Sequence, residues 1–248
     1  MIALLGMYDP PALHTTNDRF WQLIRSELGY GPDALSRDIG FMDAWKSPDL
    51  LFSQTCGLPY RRVLHPDVTL IGTPDNGLPG VAPGYYCSVL VVRADAQGSA
   101  LADFTGHRFA YNQTMSQSGW AGPMDHIDRA GVTFASFVET GGHGASALAV
   151  AEGRADMAGL DLLTWTLIGE HDPDLAAHLR IIDTSPPTPT LPYITAKSRD
   201  AAPIRAAVRT AIAGLSESDR AALHLYGLVD IPAADYLSVP TPPAPDSR

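Results

Sequence analysis

Residues 108–119 read RFAYNQTMSQSG, and residues 134–146 read FASFVETGGHGAS. In each stretch a short apolar run is followed by small polar residues where a helix would begin. The first backbone N–H groups of a helix lack intrahelical partners and carry a partial positive charge, so such a turn can hold a tetrahedral oxyanion. The two stretches predict strand–turn–helix units whose backbone N–H groups, hydroxyls and one imidazole form a site for a phosphate-like group.

Strand-like and helix-like segments alternate through the chain, which is typical of an α/β protein with parallel-rich, mixed sheets. We expect strands at about residues 2–7, 50–53, 68–72, 86–93, 180–183 and 191–195. Outside the quoted stretches we expect helices at about residues 17–28, 162–168, 201–213 and 216–225. Thr16 or Asn17 is the predicted cap of the first helix. The Pro-rich residues 240–248 are expected to be frayed.

The passages 180–183 and 191–195 flank a proline-rich interruption, and we interpret them as crossings between two lobes. Residues 1–90 together with 193–248 then form lobe 1, and residues 91–192 form lobe 2. We expect helices on both faces of the sheets and a ligand cleft between the lobes, since domain interfaces of α/β folds commonly hold small molecules.

The composition limits the classes of partner. The chain has 248 residues, of which 45% are hydrophobic, enough for one large domain or two small ones. Seventeen Lys and Arg against 27 Asp and Glu give a formal charge of -10. This charge argues against a nucleic-acid footprint and against attraction to an anionic membrane. An anionic ligand must therefore be held by local donors.

Targeting and redox signals are sparse. The sequence shows no export leader and no apolar run near the roughly 20 residues of a membrane helix, so we expect no membrane insertion. As written, the chain is expected to be cytoplasmic, or periplasmic if a leader was removed. Cys56 and Cys87 neither demand nor exclude an oxidising compartment.

Several motifs, in order, resemble the PhnD-like family of phosphate, phosphite and phosphonate substrate-binding proteins of ABC transporters. They are Tyr8, residues 53–57 (SQTCG), 86–88 (YCS), 101–106 (LADFTG), 108–110 (RFA), 116–119 (SQSG), 142–143 (GH) and 153–158 (GRADMA). The resemblance implies a two-lobed, type II periplasmic-binding-protein-like fold. It also implies ligand contacts at Ser116, Gln117, Ser118, His143 and Asp161 of the second lobe, with Tyr8 and Tyr86 opposite.

Thr55 is a secondary candidate because it stands at a predicted strand end. Gln117 departs from the family, which commonly has Thr at that position.

Each candidate also has a structural alternative. Ser116 and Ser118 can cap a helix, His143 can lie on the surface or cap, Asp161 can cap residues 162–168, and the tyrosines can be core residues.

Motifs of enzymes are absent from the sequence, and its eight histidines lack metal-ligand spacing. We therefore expect no catalysis, no cofactor and no metal. The predicted function is capture of a small phosphorus oxyanion by lobe closure, as a monomer that serves an ABC transporter permease or a sensor protein.

Two alternatives remain. The same scaffold hosts enzymes of menaquinone biosynthesis that act on a carboxylate substrate, for which His143 and Asp161 could be acid and base. A binder of a heterocycle such as a thiamine precursor would stack its ligand on Trp21 or Trp120.

Overall fold

The computed structural model describes residues 1–247. Its strands are β1 (Ile2–Leu4), β2 (Leu50–Gln54), β3 (Val68–Asp75), β4 (Tyr85–Tyr86), β5 (Ser88–Arg93), β6 (Arg108–Tyr111), β7 (Ser136–Glu139), β8 (Met157–Asp161), β9 (Leu179–Thr184), β10 (Thr188–Pro189), β11 (Tyr193–Ala196) and β12 (Gly227–Val229).

The helices are α1 (His14–Leu28), α2 (Phe41–Lys46), α3 (Gly57–Pro59), α4 (Gly122–Arg129), α5 (His143–Ala151), α6 (Leu162–His171), α7 (Pro173–Ala177), α8 (Ala201–Gly214), α9 (Glu217–Leu223) and α10 (Ala233–Leu237). Two π-helical turns, Tyr60–Leu64 and Gln117–Ala121, join these elements. The second turn leads directly into α4.

The chain forms two compact units. Unit 1 comprises Met1–Tyr85 and Pro189–Ser238, and unit 2 comprises Tyr86–Thr188 and the chain from Val239 onward. The short strands β4 and β10, where the chain passes from one unit to the other, pair with each other.

In unit 1 the sheet has the order β1-β2-β11-β3-β12, with β1 and β2 parallel and β11 antiparallel to both β2 and β3. Apolar side chains cover both faces. Phe20, Trp21 and Val208 pack on one face with α1 and α8, and Trp45 and Tyr236 pack on the other with α2 and α10.

In unit 2 the sheet has the order β7-β6-β8-β5-β9. Strands β6, β7 and β8 run parallel, whereas β5 is antiparallel to β8 and β9. The residues Val89 to Val92 are at most 1% exposed, so β5 is buried on both faces, as its uninterrupted apolar run predicts. The predicted α/β fold with mixed sheets and helices on both faces is confirmed.

The boundaries of the units differ from the predicted lobes in three places. Residues 189–192 belong to unit 1 instead of the second lobe. A boundary after residue 90 would divide β5, which pairs with β8 and β9 inside unit 2. Tyr86 accordingly belongs to unit 2 and not to the first lobe. The chain after Ser238 also belongs to unit 2 instead of unit 1.

The prediction of a frayed C-terminal segment is wrong for the described residues. The indole Nε1–H of Trp120 donates a hydrogen bond to the Pro243 carbonyl at 3.0 Å, and Pro245 is buried. A buried indole needs an acceptor, and proline side chains lose little rotamer entropy when they pack. The segment is therefore tied to unit 2.

The cap predicted for α1 is also wrong. The helix begins at His14, and Thr16 and Asn17 are buried within it. The Asn17 amide instead donates to the Tyr8 carbonyl and to an Asp9 carboxylate oxygen, each at 3.0 Å. The Asn17 side chain therefore holds the residues that follow β1 against α1 and does not cap the helix.

None of the helices within residues 1–247 has the length and apolarity needed to cross a bilayer.

Candidate functional site

One edge of the unit 2 sheet collects the polar turns. Parallel strands end at the same edge, so the residues that follow β6, β7 and β8 are neighbours. Strand β5 runs the opposite way and starts at this edge, where Ser88 pairs with Asp161. The topology therefore brings four chain segments together.

The turn after β6 is closed by Ser116. Its Oγ accepts the backbone N–H of Gly119 at 2.9 Å, which makes Ser116 the N-cap of the π-helical turn Gln117–Ala121. Ser116, Gln117 and Ser118 are each 3–4% exposed. Ser116 therefore caps this turn, and Gln117 and Ser118 lie at the helix start.

The turn after β7 is tied to the first turn by the backbone. The N–H of Thr140 donates to the Tyr111 carbonyl at 2.9 Å, and the N–H of Gly141 donates to the Asn112 carbonyl at 2.8 Å. Gly141 has φ of 87°, a conformation that side chains disfavour. After it the backbone of Gly142 is extended, and α5 begins at His143.

The two helix starts meet at one contact. The Ser118 Oγ lies 3.0 Å from the His143 Nε2. Asn112, which directly follows β6, places its Nδ2 3.4 Å from the same ring nitrogen. Ser118, His143 and Asn112 therefore form one polar cluster at the sheet edge.

The environment of His143 favours its neutral form. Burial lowers the pKa of the imidazole, while the Asp161 carboxylate and the Gly159 carbonyl oppose that shift. The net lowering means that the site, without ligand, holds an uncharged ring.

This neutral ring makes the fold sensitive to acid. Because the His143 pKa is lower in the folded chain than its ordinary value of 6.5, the unfolded chain takes up the proton first, and stability falls as the pH drops below about 6.5. We expect the free energy of unfolding, measured by urea titration, to decrease between about pH 7 and pH 5, and to decrease less in His143→Gln.

The carboxylates of Asp156 and Asp219, whose pKa values are also lowered, contribute only at more acidic pH, below about 5. They therefore do not obscure the decrease in the free energy of unfolding that His143 causes between about pH 7 and pH 5. Parallel pH profiles for the two proteins would contradict the prediction.

Asp161, the last residue of β8, is 2% exposed. Its Oδ1 accepts the N–H of Thr164 at 3.0 Å, so it is the N-cap of α6. Its charge also acts on two neighbours, since it favours the protonated ring of His143 and, together with burial, raises the pKa of the Cys87 thiol.

The remaining candidates are placed separately. Tyr86 is 1% exposed in unit 2. Tyr8 and Thr55 lie in unit 1, after the carboxyl ends of the parallel strands β1 and β2. Thr55 is fully buried, and Tyr8 is half-buried.

Sequence reasoning missed Asn112 as a site residue. Its position was a usable signal, because an Asn that directly follows a parallel strand stands at the edge where sites form.

The structure does not favour the heterocycle alternative. Trp21 is fully buried and stacks on Phe52, and Trp120 is 1% exposed against Tyr111 and Phe137. Neither ring has a face for a ligand. Within residues 1–247, no three His, Cys, Asp or Glu side chains are grouped as metal ligands would be.

Comparison with known proteins gives one family. The family described as "ABC transporter, phosphonate, periplasmic substrate-binding protein" matches residues 2–236. No curated protein matches the chain significantly.

Solved structures share the fold. PhnD1 from Prochlorococcus marinus, in complex with methylphosphonate, is 18% identical with a TM-score of 0.72, covering 95% of this chain and 94% of that chain. A binding protein component of an ABC phosphonate transporter from Pseudomonas aeruginosa is 17% identical with a TM-score of 0.72, covering 95% and 83%. A Xanthomonas citri protein bound to ATP is 14% identical with a TM-score of 0.69, covering 96% and 98%. These findings give no support to the menaquinone-enzyme or heterocycle alternatives.

Proposed function

Because this chain belongs to the family of periplasmic phosphonate-binding proteins of ABC transporters, we propose that the sheet edge of unit 2 holds the phosphorus oxyanion of its ligand. The observation that carries the proposal is the 3.0 Å contact between Ser118 and His143, which joins the two helix starts. The ligand is phosphate, phosphite or a small phosphonate.

The donors for the anion come from the helix starts. Hydrogen bonds to an ionised acceptor contribute about 1.5–3 kcal/mol each, so a few N–H groups at the beginning of the Gln117–Ala121 turn and of α5 suffice for micromolar binding. The formal charge of -10 does not attract an anion, so these local donors must supply the affinity.

Asp161 gives the site a preference for a protonated ligand. A carboxylate has about four lone-pair positions, so capping Thr164 does not exhaust its capacity to accept. A monoprotonated oxyanion brings a hydroxyl that can donate to Asp161, whereas sulfate brings none and would meet an uncompensated negative charge. We expect discrimination against sulfate.

Tyr8, Tyr86 and Gln117 remain proposed contacts on the strength of the sequence resemblance, and Thr55 remains a secondary one because of its place at a strand end. Ser116, which caps the turn, also remains a proposed contact. We assign no catalytic residue. We further propose a periplasmic location, delivery to the permease of an ABC transporter, and a monomeric state.

Thermal unfolding of ligand-free protein tests the proposal. We expect stabilisation by methylphosphonate, phosphite or phosphate, and none by sulfate. A ligand at 100 times its Kd adds about 2.7 kcal/mol, or roughly 5–10 °C for a chain of this size. Ser118→Ala is expected to abolish the shift.

The matched control is Ser136→Ala, since Ser136 is exposed on the outer strand β7 of the same sheet. It should retain the full shift. An unshifted wild-type protein in all ligands would overturn the proposed specificity, and an undiminished shift in Ser118→Ala would overturn the site.

A further inference from the structure

The His143 ring has two neighbours at one nitrogen. Ser118 Oγ is 3.0 Å and Asn112 Nδ2 is 3.4 Å from Nε2. A hydroxyl can donate or accept, so the serine does not decide which ring nitrogen carries the proton. An amide NH2 group only donates, so the asparagine does decide it.

The orientation of the Asn112 amide follows from its other neighbour. A Cβ at Gly119 would lie only 1.9 Å from Oδ1, so the amide oxygen is held directly against the Gly119 Cα. Oδ1 is enclosed and has no conventional hydrogen-bond partner among residues 1–247. An oxygen facing a Cα–H group makes a weak favourable contact, whereas a reversed amide would bury an N–H there without an acceptor.

We propose that Asn112 is a positioning residue that keeps the His143 proton on Nδ1 and the lone pair on Nε2. Nδ1 is the nitrogen left to carry the proton; within residues 1–247 it is enclosed and has no conventional hydrogen-bond partner. The Gly159 backbone favours a protonated ring. The single Nε2 lone pair is then shared between two donors, the Ser118 hydroxyl at 3.0 Å and, more weakly, the Asn112 amide at 3.4 Å.

The consequence for binding rests on the proposed function. A Ser118 hydroxyl that donates to His143 presents only its oxygen lone pairs to a ligand. Ser118 and Asp161 are then alternative acceptors for the single hydroxyl proton of a monoprotonated oxyanion, while the helix N–H groups hold the ionised oxygens. Asn112 therefore favours the monoprotonated form of the ligand over the fully ionised form.

The negative charge near the His143 ring favours protonation of both ring nitrogens and so opposes a lone pair on Nε2. Among the groups on the elements packed against α5, the charged one that acts on His143 is Asp161, at the end of β8, and it favours a protonated ring. Cys87, beside Asp161, remains a thiol because burial and that carboxylate raise its pKa. The asparagine thus opposes a protonation that Asp161 promotes.

Nitrogen-15 NMR of the histidine rings in ligand-free protein, near pH 7.5, tests the assignment directly. We expect the Nδ1–H tautomer for His143 in the wild type. Asn112→Leu should bring a large Nε2–H population, and the nearly isosteric Asn112→Asp should shift the proton to Nε2, because a carboxylate accepts where the amide donated. Gln113→Leu, at the next and exposed position, should leave the tautomer unchanged.

A wild-type ring protonated on Nε2, or variants that keep the Nδ1–H form, would overturn the proposal. These spectra need no ligand, so they decide the role of Asn112 even if the proposed function fails.

Calorimetric titration with methylphosphonate from pH 6 to 9 tests the consequence. Wild-type affinity should fall as the ligand loses its last proton, and Asn112→Leu should lose about tenfold in affinity for the monoprotonated form, the contribution of one charge-assisted hydrogen bond. Identical pH profiles for wild type and Asn112→Leu would refute the preference. If the wild type binds no methylphosphonate, the proposed function fails instead.

Discussion

Trp120→Ala is expected to lower the free energy of unfolding of unit 2 by about 3–5 kcal/mol, the usual cost of deleting a large buried aromatic side chain. The indole is 1% exposed, and its ring centroid lies 4.9 Å from that of Tyr111 and 5.1 Å from that of Phe137. The substitution also removes the donor to the Pro243 carbonyl. Urea titration with native-state hydrogen exchange would localise the loss to unit 2.

Trp120→Phe separates the two contributions. Phenylalanine keeps much of the packing and removes the hydrogen bond. We therefore expect a smaller decrease in the free energy of unfolding, of which about 0.5–1.5 kcal/mol comes from the hydrogen bond. We also expect faster hydrogen exchange of the C-terminal amides. A C-terminal segment that stays protected in Trp120→Phe would show that the indole N–H does not hold it.

Gly119→Ala is expected to destabilise unit 2 by about 1–3 kcal/mol and to reduce the ligand-dependent stabilisation from about 2.7 kcal/mol to about 1.4 kcal/mol, the effect of a tenfold loss of affinity. An added Cβ would lie 1.9 Å from Asn112 Oδ1 and 2.8 Å from its Cγ. Asn112 must move away, which removes its contact with His143. Thermal unfolding with and without methylphosphonate measures both losses.

Gly169→Ala is the matched control for this experiment. Gly169 is the eighth residue of α6, is exposed, and an added Cβ there meets no neighbour within 4 Å among residues 1–247. Alanine is also the better helix former, by about 0.5–1 kcal/mol. We expect equal or higher stability and unchanged binding. Undiminished ligand stabilisation in Gly119→Ala would contradict the close approach described for this turn.

Much of this molecule is predictable from short-range patterns. The uninterrupted apolar run of β5 and the strand–turn–helix stretches at residues 108–119 and 134–146 locate the unit 2 sheet and its polar edge, because burial and helix starts leave local signatures. The approach of Ser118 to His143 follows once the strands are parallel.

Long-range pairing is less accessible. The sequences of β5 and β11 do not indicate that these strands run antiparallel to their neighbours, since an apolar run is compatible with parallel and with antiparallel pairing. The attachment of Pro243 to Trp120 joins residues 123 positions apart, and no local pattern encodes it. The position of Asn112 directly after β6 is visible in the sequence, but its contact with His143 depends on how closely the Gly119 backbone approaches, which no local pattern encodes.

The place of β11 between β2 and β3 sets an order of events during synthesis. Residues 189–238 leave the ribosome after all of unit 2 up to Thr188. Strands β2 and β3 are therefore synthesised early, and their edge N–H and C=O groups stay unpaired until β11, which lies between them, has been made. The contiguous segment 86–188 can collapse first. Nascent chains stalled before residue 193 should therefore expose an aggregation-prone N-terminal third beside an already folded middle.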